Sequence, residues 1–484
     1  MFVSTPRTAP FIAKVLAIAI VCASFALTHQ VALAQPASNL MESWPAPPPD
    51  KLDPLLLSVL RNPSPEIPHD PLHKVDDQSQ IKGTLVYTPR IIVYETQPAN
   101  YFVVFRQVNG AKDFNGTLSA SAAYIAGTQQ HVFEPTYSPD GKKLILKVGR
   151  PDAPYGGYRL CMWDMEKQRI LYVPDRLAFR KVSWSADSNL VAYVEGGDEY
   201  GREADDMTGE SYPSHLSVFD LTQDKASQVL EWMSVTDFSW TSTGKLLFSH
   251  AEESAEDKET PATETHHPAI YEVKPSDKSP VKLVSEAQLP LASPDDKWIA
   301  FLGWFDDPQT KEAPKSRLQV YGIGLYNKAT KARHLIQTLS GKRRENQLFQ
   351  PQLKWNATSD TLWWLDNSYQ GHSATAKVNQ IKLSQLFETG DVQTAQSTLL
   401  ATIQMVDQGN DGRDSSDLPV RFLASTKDQQ FLILDLSRYT GENRSFMTEQ
   451  KSLVALHIAD GSLKTLAEAE NKWDAVRGWD WKED

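Results

Sequence analysis

A short motif recurs along the chain, and it limits the possible folds more than any other feature of the sequence. Its clearest copy is Pro135-Thr-Tyr-Ser-Pro-Asp-Gly-Lys-Lys-Leu-Ile-Leu-Lys147. Weaker copies run from Val182 to Tyr193, Phe238 to Phe248, Leu291 to Phe301, Leu353 to Trp364 and Phe422 to Ile433. The anchor residues Ser138, Ser185, Thr241, Ser293, Asn356 and Ser425 fall about 50 to 70 residues apart, room for one four-stranded unit with generous loops. In Ser138-Pro139-Asp140-Gly141 the proline presets φ for the first central position of a tight turn. Aspartate suits the second, and glycine accepts the positive φ that follows. Each turn reverses one strand into the next. The second strands (Leu144 to Val148, Leu190 to Val194, Trp298 to Phe301, Phe431 to Leu434) are apolar at nearly every position. A strand reads that way when both faces of its sheet are covered.

Third and fourth strands follow, as in Tyr158 to Trp163 with Arg169 to Val173, and no convincing amphipathic helix lies between copies. The expected fold class is therefore all-β: a single β-propeller of seven blades, each of four antiparallel strands. The chain stops at Ala475-Val-Arg-Gly-Trp-Asp-Trp481, which reads as a first strand without its turn, whereas Tyr101 to Phe105 and Ala122 to Ile125 are strands without a preceding motif. Joining them closes the last blade with strands from both termini and leaves no open sheet edge. An eighth blade is the alternative if Leu85 to Tyr94 enters another sheet.

Three segments are expected: a signal peptide at 1–34, a Pro-rich leader or strap at 35–80, and the propeller at 81–484. Arg7 and Lys14 precede the short apolar run Val15 to Leu27, and Ala32-Leu33-Ala34 offers small residues for cleavage. This implies a periplasmic or secreted protein with no membrane insertion. Removing the two basic residues of that peptide leaves 47 of the 49 Lys and Arg against 61 Asp and Glu, a net charge of −14. Such a surface disfavours nucleic acid and anionic lipid. One cysteine, Cys161, then remains, so no internal disulfide can form.

The Trp/Tyr-Ser-Pro-Asp-Gly-Lys motif followed by an apolar strand resembles the TolB-like (WD40-like) propeller repeat, over roughly residues 85 to 484. The same repeat occurs in relatives of prolyl oligopeptidase and in oligogalacturonate lyases. The resemblance implies a propeller without the N-terminal α/β domain of TolB, and a role in envelope protein interactions. No Gly-x-Ser-x-Gly nucleophile elbow accompanies it.

Two acidic insertions are the most distinctive surface features. One carries Glu195, Asp198, Glu199, Glu203, Asp205 and Asp206; the other carries Glu252, Glu253, Glu256 and Asp257. Both are expected to connect second to third strands in consecutive blades, which makes them neighbours on one face. They read as solvated loops, as a site for a basic partner, or as a calcium site without EF-hand spacing. His215 and His250 are the metal-ligand candidates at the same rim. The expected function is a non-catalytic, monomeric interaction module in the bacterial envelope, without a cofactor, that binds an envelope protein, a peptide or a polysaccharide. The alternative is a lyase-like, carbohydrate-active enzyme dependent on a divalent metal.

Overall fold

The structure is a computed structural model. It describes residues 72–76, 80–89, 101–108, 117–120, 131–149, 159–172, 178–196, 214–231, 235–251, 268–306, 319–339, 351–384, 397–406, 420–440, 448–469 and 476–483, a few single positions excepted. The expected signal peptide and most of the Pro-rich leader lie outside these residues. Among the described residues no helix is long and apolar enough to cross a membrane.

The N-terminal strands are β1 (Leu72–Val75), β2 (Gly83–Pro89), β3 (Tyr101–Val108) and β4 (Thr117–Ala120). Next come β5 (His131–Tyr137), β6 (Lys143–Gly149), β7 (Arg159–Asp164) and β8 (Arg169–Tyr172). A second group of four is β9 (Ala178–Trp184), β10 (Leu190–Gly196), β11 (Ser214–Asp220) and β12 (Lys225–Glu231). A third is β13 (Asp237–Trp240), β14 (Leu246–Ala251), β15 (Pro268–Val273) and β16 (Val281–Val284). A fourth is β17 (Ala287–Ala292), β18 (Trp298–Asp306), β19 (Gln319–Asn327) and β20 (Arg333–Thr338). A fifth is β21 (Gln352–Trp355), β22 (Thr361–Gln370), β23 (Ser373–Lys382) and β24 (Thr398–Val406). The chain ends with β25 (Val420–Ser425), β26 (Phe431–Thr440), β27 (Thr448–His457), β28 (Leu463–Ala469) and β29 (Val476–Glu483).

These strands pair antiparallel into a single all-β propeller, but not into seven uniform blades. Six sheets have four strands, and the remaining sheet has five, in the order β1-β28-β27-β26-β25. The extra strand comes from the leader: β1 adds to the outer edge of β28, with Leu72 opposite Ala469. Closure differs in detail from the expectation too. The closing sheet runs β29-β2-β3-β4, so Leu85–Pro89, the described part of the segment read as a contribution to an eighth sheet, lies between β29 and β3. Ala122–Ile125 lies outside the described residues. The sixth anchor is Thr426 rather than Ser425: the Thr426 N–H donates to the Phe431 carbonyl, and its hydroxyl accepts from the Phe431 N–H at 3.0 Å.

Buried second strands hold the blades together, as their unbroken apolar runs predict. Leu144, Ile145 and Leu146 are all buried, as are Leu432, Ile433 and Leu434. Alternate residues of each strand face opposite neighbours. One apolar cluster thus joins the β5–β8 and β9–β12 sheets (Ile145, Met162, Tyr193, Phe219), and the next joins β9–β12 to β13–β16 (Ala192, Val218, Phe238, Phe248). Others follow around the ring. At the closure Tyr87, Trp479 and Trp481 pack on Ile433 and Leu453. A Cβ at Gly83 would run into the Trp481 ring, which reaches across the strand pair, so only glycine fits there.

The repeat turns add a second, polar connection between blades. Gly141 takes φ +66° as expected, but Ser188, Asp296, Ser359 and Gln429 adopt the same left-handed conformation with side chains. Those side chains reach the preceding turn. The Asp140 N–H donates to Ser188 Oγ at 3.1 Å and the Asp295 N–H to Ser359 Oγ at 2.9 Å. Thr243 donates to Asp296, and Asn356 to Gln429, each at 3.0 Å. Three motif tryptophans tie the blades one residue further in: Trp184, Trp240 and Trp355 donate their indole N–H groups to the carbonyls of Thr136, Ser183 and Leu291.

Candidate functional site at the axis of the ring

The first strands of neighbouring sheets are the ones that meet around the ring, β5 with β29, β13 with β9 and β17, and β25 with β21 and β29. They line the axis, and several carry charge there. Lys181 of β9 pairs with Asp237 of β13 at 2.7 Å. Next round, Gln288 of β17 donates to the Tyr321 hydroxyl at 2.7 Å. Lys354 on β21, Arg421 on β25 and Asp480 on β29 follow in three consecutive sheets.

Arg421 grips Asp435 of β26 through Nε at 3.0 Å and through Nη2. Asp435 is only 1% exposed. Burial alone would raise its pKa, but the Arg421 guanidinium, with Lys451 beyond it, overcomes that and holds the carboxyl below the usual carboxylate range. Asp480 behaves in the opposite way. Burial pushes it up to about 6, against the opposing pull of the Tyr137 and Trp481 N–H groups, Lys354 and Arg421. Its Oδ2 accepts the Tyr137 N–H of the next blade at 2.7 Å. Burial also pushes the Lys354 ammonium down, with Asp480 opposing.

A carboxyl whose pKa rises on folding stabilises the fold below its unfolded value and loses that contribution as pH rises through about 6. The rise amounts to about 2–3 kcal/mol at neutral pH. Asp480→Asn keeps an oxygen for the Tyr137 N–H and removes the titration. The variant should therefore be more stable than the natural protein at neutral pH, with the gap closing toward mildly acidic pH. Urea titrations of both proteins across that range measure it; a gap independent of pH would refute the assignment. The turn aspartates shift the other way in both proteins, since the Ser185 and Thr426 hydroxyls hold Asp187 and Asp428 below the usual range.

The histidines singled out in the sequence do not converge. His215 is opposite Glu195 in the backbone register of β10 and β11, and its Nδ1 lies 2.9 Å from Gln228 Nε2. Alternation puts it on the Phe219 face of its sheet, toward β5–β8. His250 lies in the next sheet on the Phe248 face, toward β9–β12, with its ring 6.4 Å from that of Tyr271. Among the described residues no group of three or more His, Cys, Asp or Glu could hold a metal ion. The acidic insertions do fall between β10 and β11 and between β14 and β15. Asp198, Glu199, Glu203, Asp205, Asp206, Glu252, Glu253, Glu256 and Asp257 lie outside the described residues.

Sequence reading missed the axial charges. Lys354 stands two residues before its anchor, where other copies have Thr136, Ser183, Ser239 and Leu291. Aligning that column, with Asp480 placed by its Trp481, would have exposed Lys354 and Asp480.

Strand order and closure define a β-propeller. No family model matches the sequence, and no curated protein matches it. Solved structures similar to it include TolB from Acinetobacter baumannii, at 14% identity and TM-score 0.39 over 80% of each chain. An oligogalacturonate lyase from Vibrio parahaemolyticus is 13% identical, with TM-score 0.43 over 80% of this chain and 86% of the other. The β-propeller domain of the Trilobed protease from Pyrococcus furiosus is 13% identical, with TM-score 0.43 over 79% and 93%. Nothing about the chemistry or partners of this chain follows from likeness at that level.

Proposed function

We propose that this propeller is an exported, non-catalytic interaction module of the bacterial envelope, acting as a monomer once cleaved near Ala34. Its partner is an envelope protein, or a peptide or polysaccharide from that compartment. The observation that carries this reading is the axis itself. The ring of blades brings Lys354, Arg421 and Asp480 of three consecutive sheets within electrostatic reach of one another, the kind of convergence of polar groups that a recognition site needs. The acidic insertions, which emerge from adjacent sheets, supply the electrostatic guidance for a basic partner.

In-cell crosslinking tests the reading with three baits: the natural protein, a form with Gln and Asn in place of the acids of both insertions, and Lys354→Met. A partner captured by the natural bait and lost with either altered bait is the expected result. Identical capture by all three, or none by any, would refute the proposal.

A further inference from the structure

We infer that Lys354 is the binding point for a carboxylate group of a ligand held at the axis of the ring, an inference that rests on the interaction-module reading. Four consecutive sheets meet here through Lys354, Arg421, Asp480 and the Tyr137 N–H. All but one of these groups are matched inside the protein. Arg421 is committed to Asp435, and Asp480 accepts the Tyr137 N–H. Lys354 is half-buried on β21, with Asp480 as a longer-range electrostatic neighbour and no ion pair or hydrogen bond of its own among the described residues. An ammonium shielded from water without such a partner is costly, and an anion brought by a ligand offsets that cost.

The local balance of charge points the same way. Lys354 and Arg421 both act on Asp480, and Arg421 and Lys451 on Asp435, so cations gather here in a chain with 61 acidic and 49 basic residues. That spot draws anions although the protein as a whole repels them. One unpaired ammonium matches a monoanion. A phosphate would seek the planar fork of an arginine, and the fork of Arg421 is turned to Asp435. A lysine acts as a compact point charge, which suits one carboxylate.

Pulse acetylation of the full-length protein near neutral pH, read by peptide mass spectrometry, tests this directly. The probes are N-acetyldiglycine against its amide, and glucuronate against glucose, the two pairs separating a peptide terminus from a sugar acid. At least one acid should slow labelling of Lys354 about tenfold once it stands near ten times its dissociation constant, and its neutral counterpart should leave labelling unchanged. Lys297, whose side chain is 74% exposed, is the internal control. In parallel, the effective acid should raise the melting temperature of the natural protein but not of Lys354→Met, which decides the matter if Lys354 resists the reagent. Equal protection by acid and neutral probe, or a melting shift that survives in Lys354→Met, overturns the carboxylate site. So does the absence of both effects. Partner capture that persists after such a failure leaves the interaction-module reading intact. Carboxylate binding without any bait-dependent partner would do the reverse.

Discussion

Replacing Trp481 by alanine should lower the unfolding free energy by about 3–5 kcal/mol, the usual cost of emptying a buried aromatic site. The residue is 4% exposed and sits in the closing cluster with Leu85, Tyr87 and Ile433. Its strand also carries three links to neighbouring blades: Asp480 accepts from Tyr137, Lys482 donates to the Gly141 carbonyl, and Glu483 accepts the Lys427 N–H. Few other single side chains combine so much buried surface with a position where the ring is joined. Trp481→Phe should recover much of the loss. Leu399→Ala, at a side chain 52% exposed on β24, should shift stability by less than about 0.5 kcal/mol. Equilibrium denaturation of the three variants ranks them, and a Trp481→Ala loss no larger than that of Leu399→Ala would show that closure does not hold the ring.

Arg421→Met should cost a similar amount, about 3–5 kcal/mol, because it strands the Asp435 carboxylate in the closing interface. Adding Asp435→Leu should restore most of the loss, since removing both charges leaves no buried ion. The sign with pH separates this from lost packing. In the natural protein Asp435 is held below its ordinary pKa, so its contribution is present at neutral pH and fades as pH falls. With Arg421 gone, burial dominates and favours the protonated acid. The penalty of Arg421→Met should therefore shrink on acidification. A penalty constant with pH, or a double variant as weak as either single one, would show that the pair is not coupled.

Much of the architecture was legible because each blade spells out its own turn. Ser138-Pro139-Asp140-Gly141 encodes a chain reversal in local geometry alone, and the apolar run from Leu144 needs no knowledge of its neighbours. Trp184 and Trp240 each stand one residue before a repeat turn and belong to the same legible pattern, although the carbonyls they bond do not. What stayed hidden depends on partners distant in the chain. Nothing in Leu72–Val75 marks it as a fifth strand, since only the free edge of β28 makes it one. Ser188 and Ser359 look like poor substitutes for glycine until the adjacent turn shows what their hydroxyls accept. The axial charges were missed for the same reason: Lys354 and Asp480 have meaning only once the ring brings their strands together. The relation between His215 and His250 depends on distant strands as well. Both fall near strand ends in consecutive blades, but strand alternation turns them to opposite sides of the β9–β12 sheet.

The closing sheet has a consequence in time as well as in space. Strand β2 pairs with β29, and Tyr137 and Asp480, joined across that closure, are 343 residues apart in sequence. During synthesis the early blades can form in order, but the inner edge of β2 waits uncovered until the last strand arrives. An uncovered edge of that kind invites pairing with other chains, and closure over so long a loop is slow. The nascent protein therefore carries an exposed edge from the time β2 is made until β29 is made, and a chaperone that shields β2 would help it more than one that assists the middle of the chain.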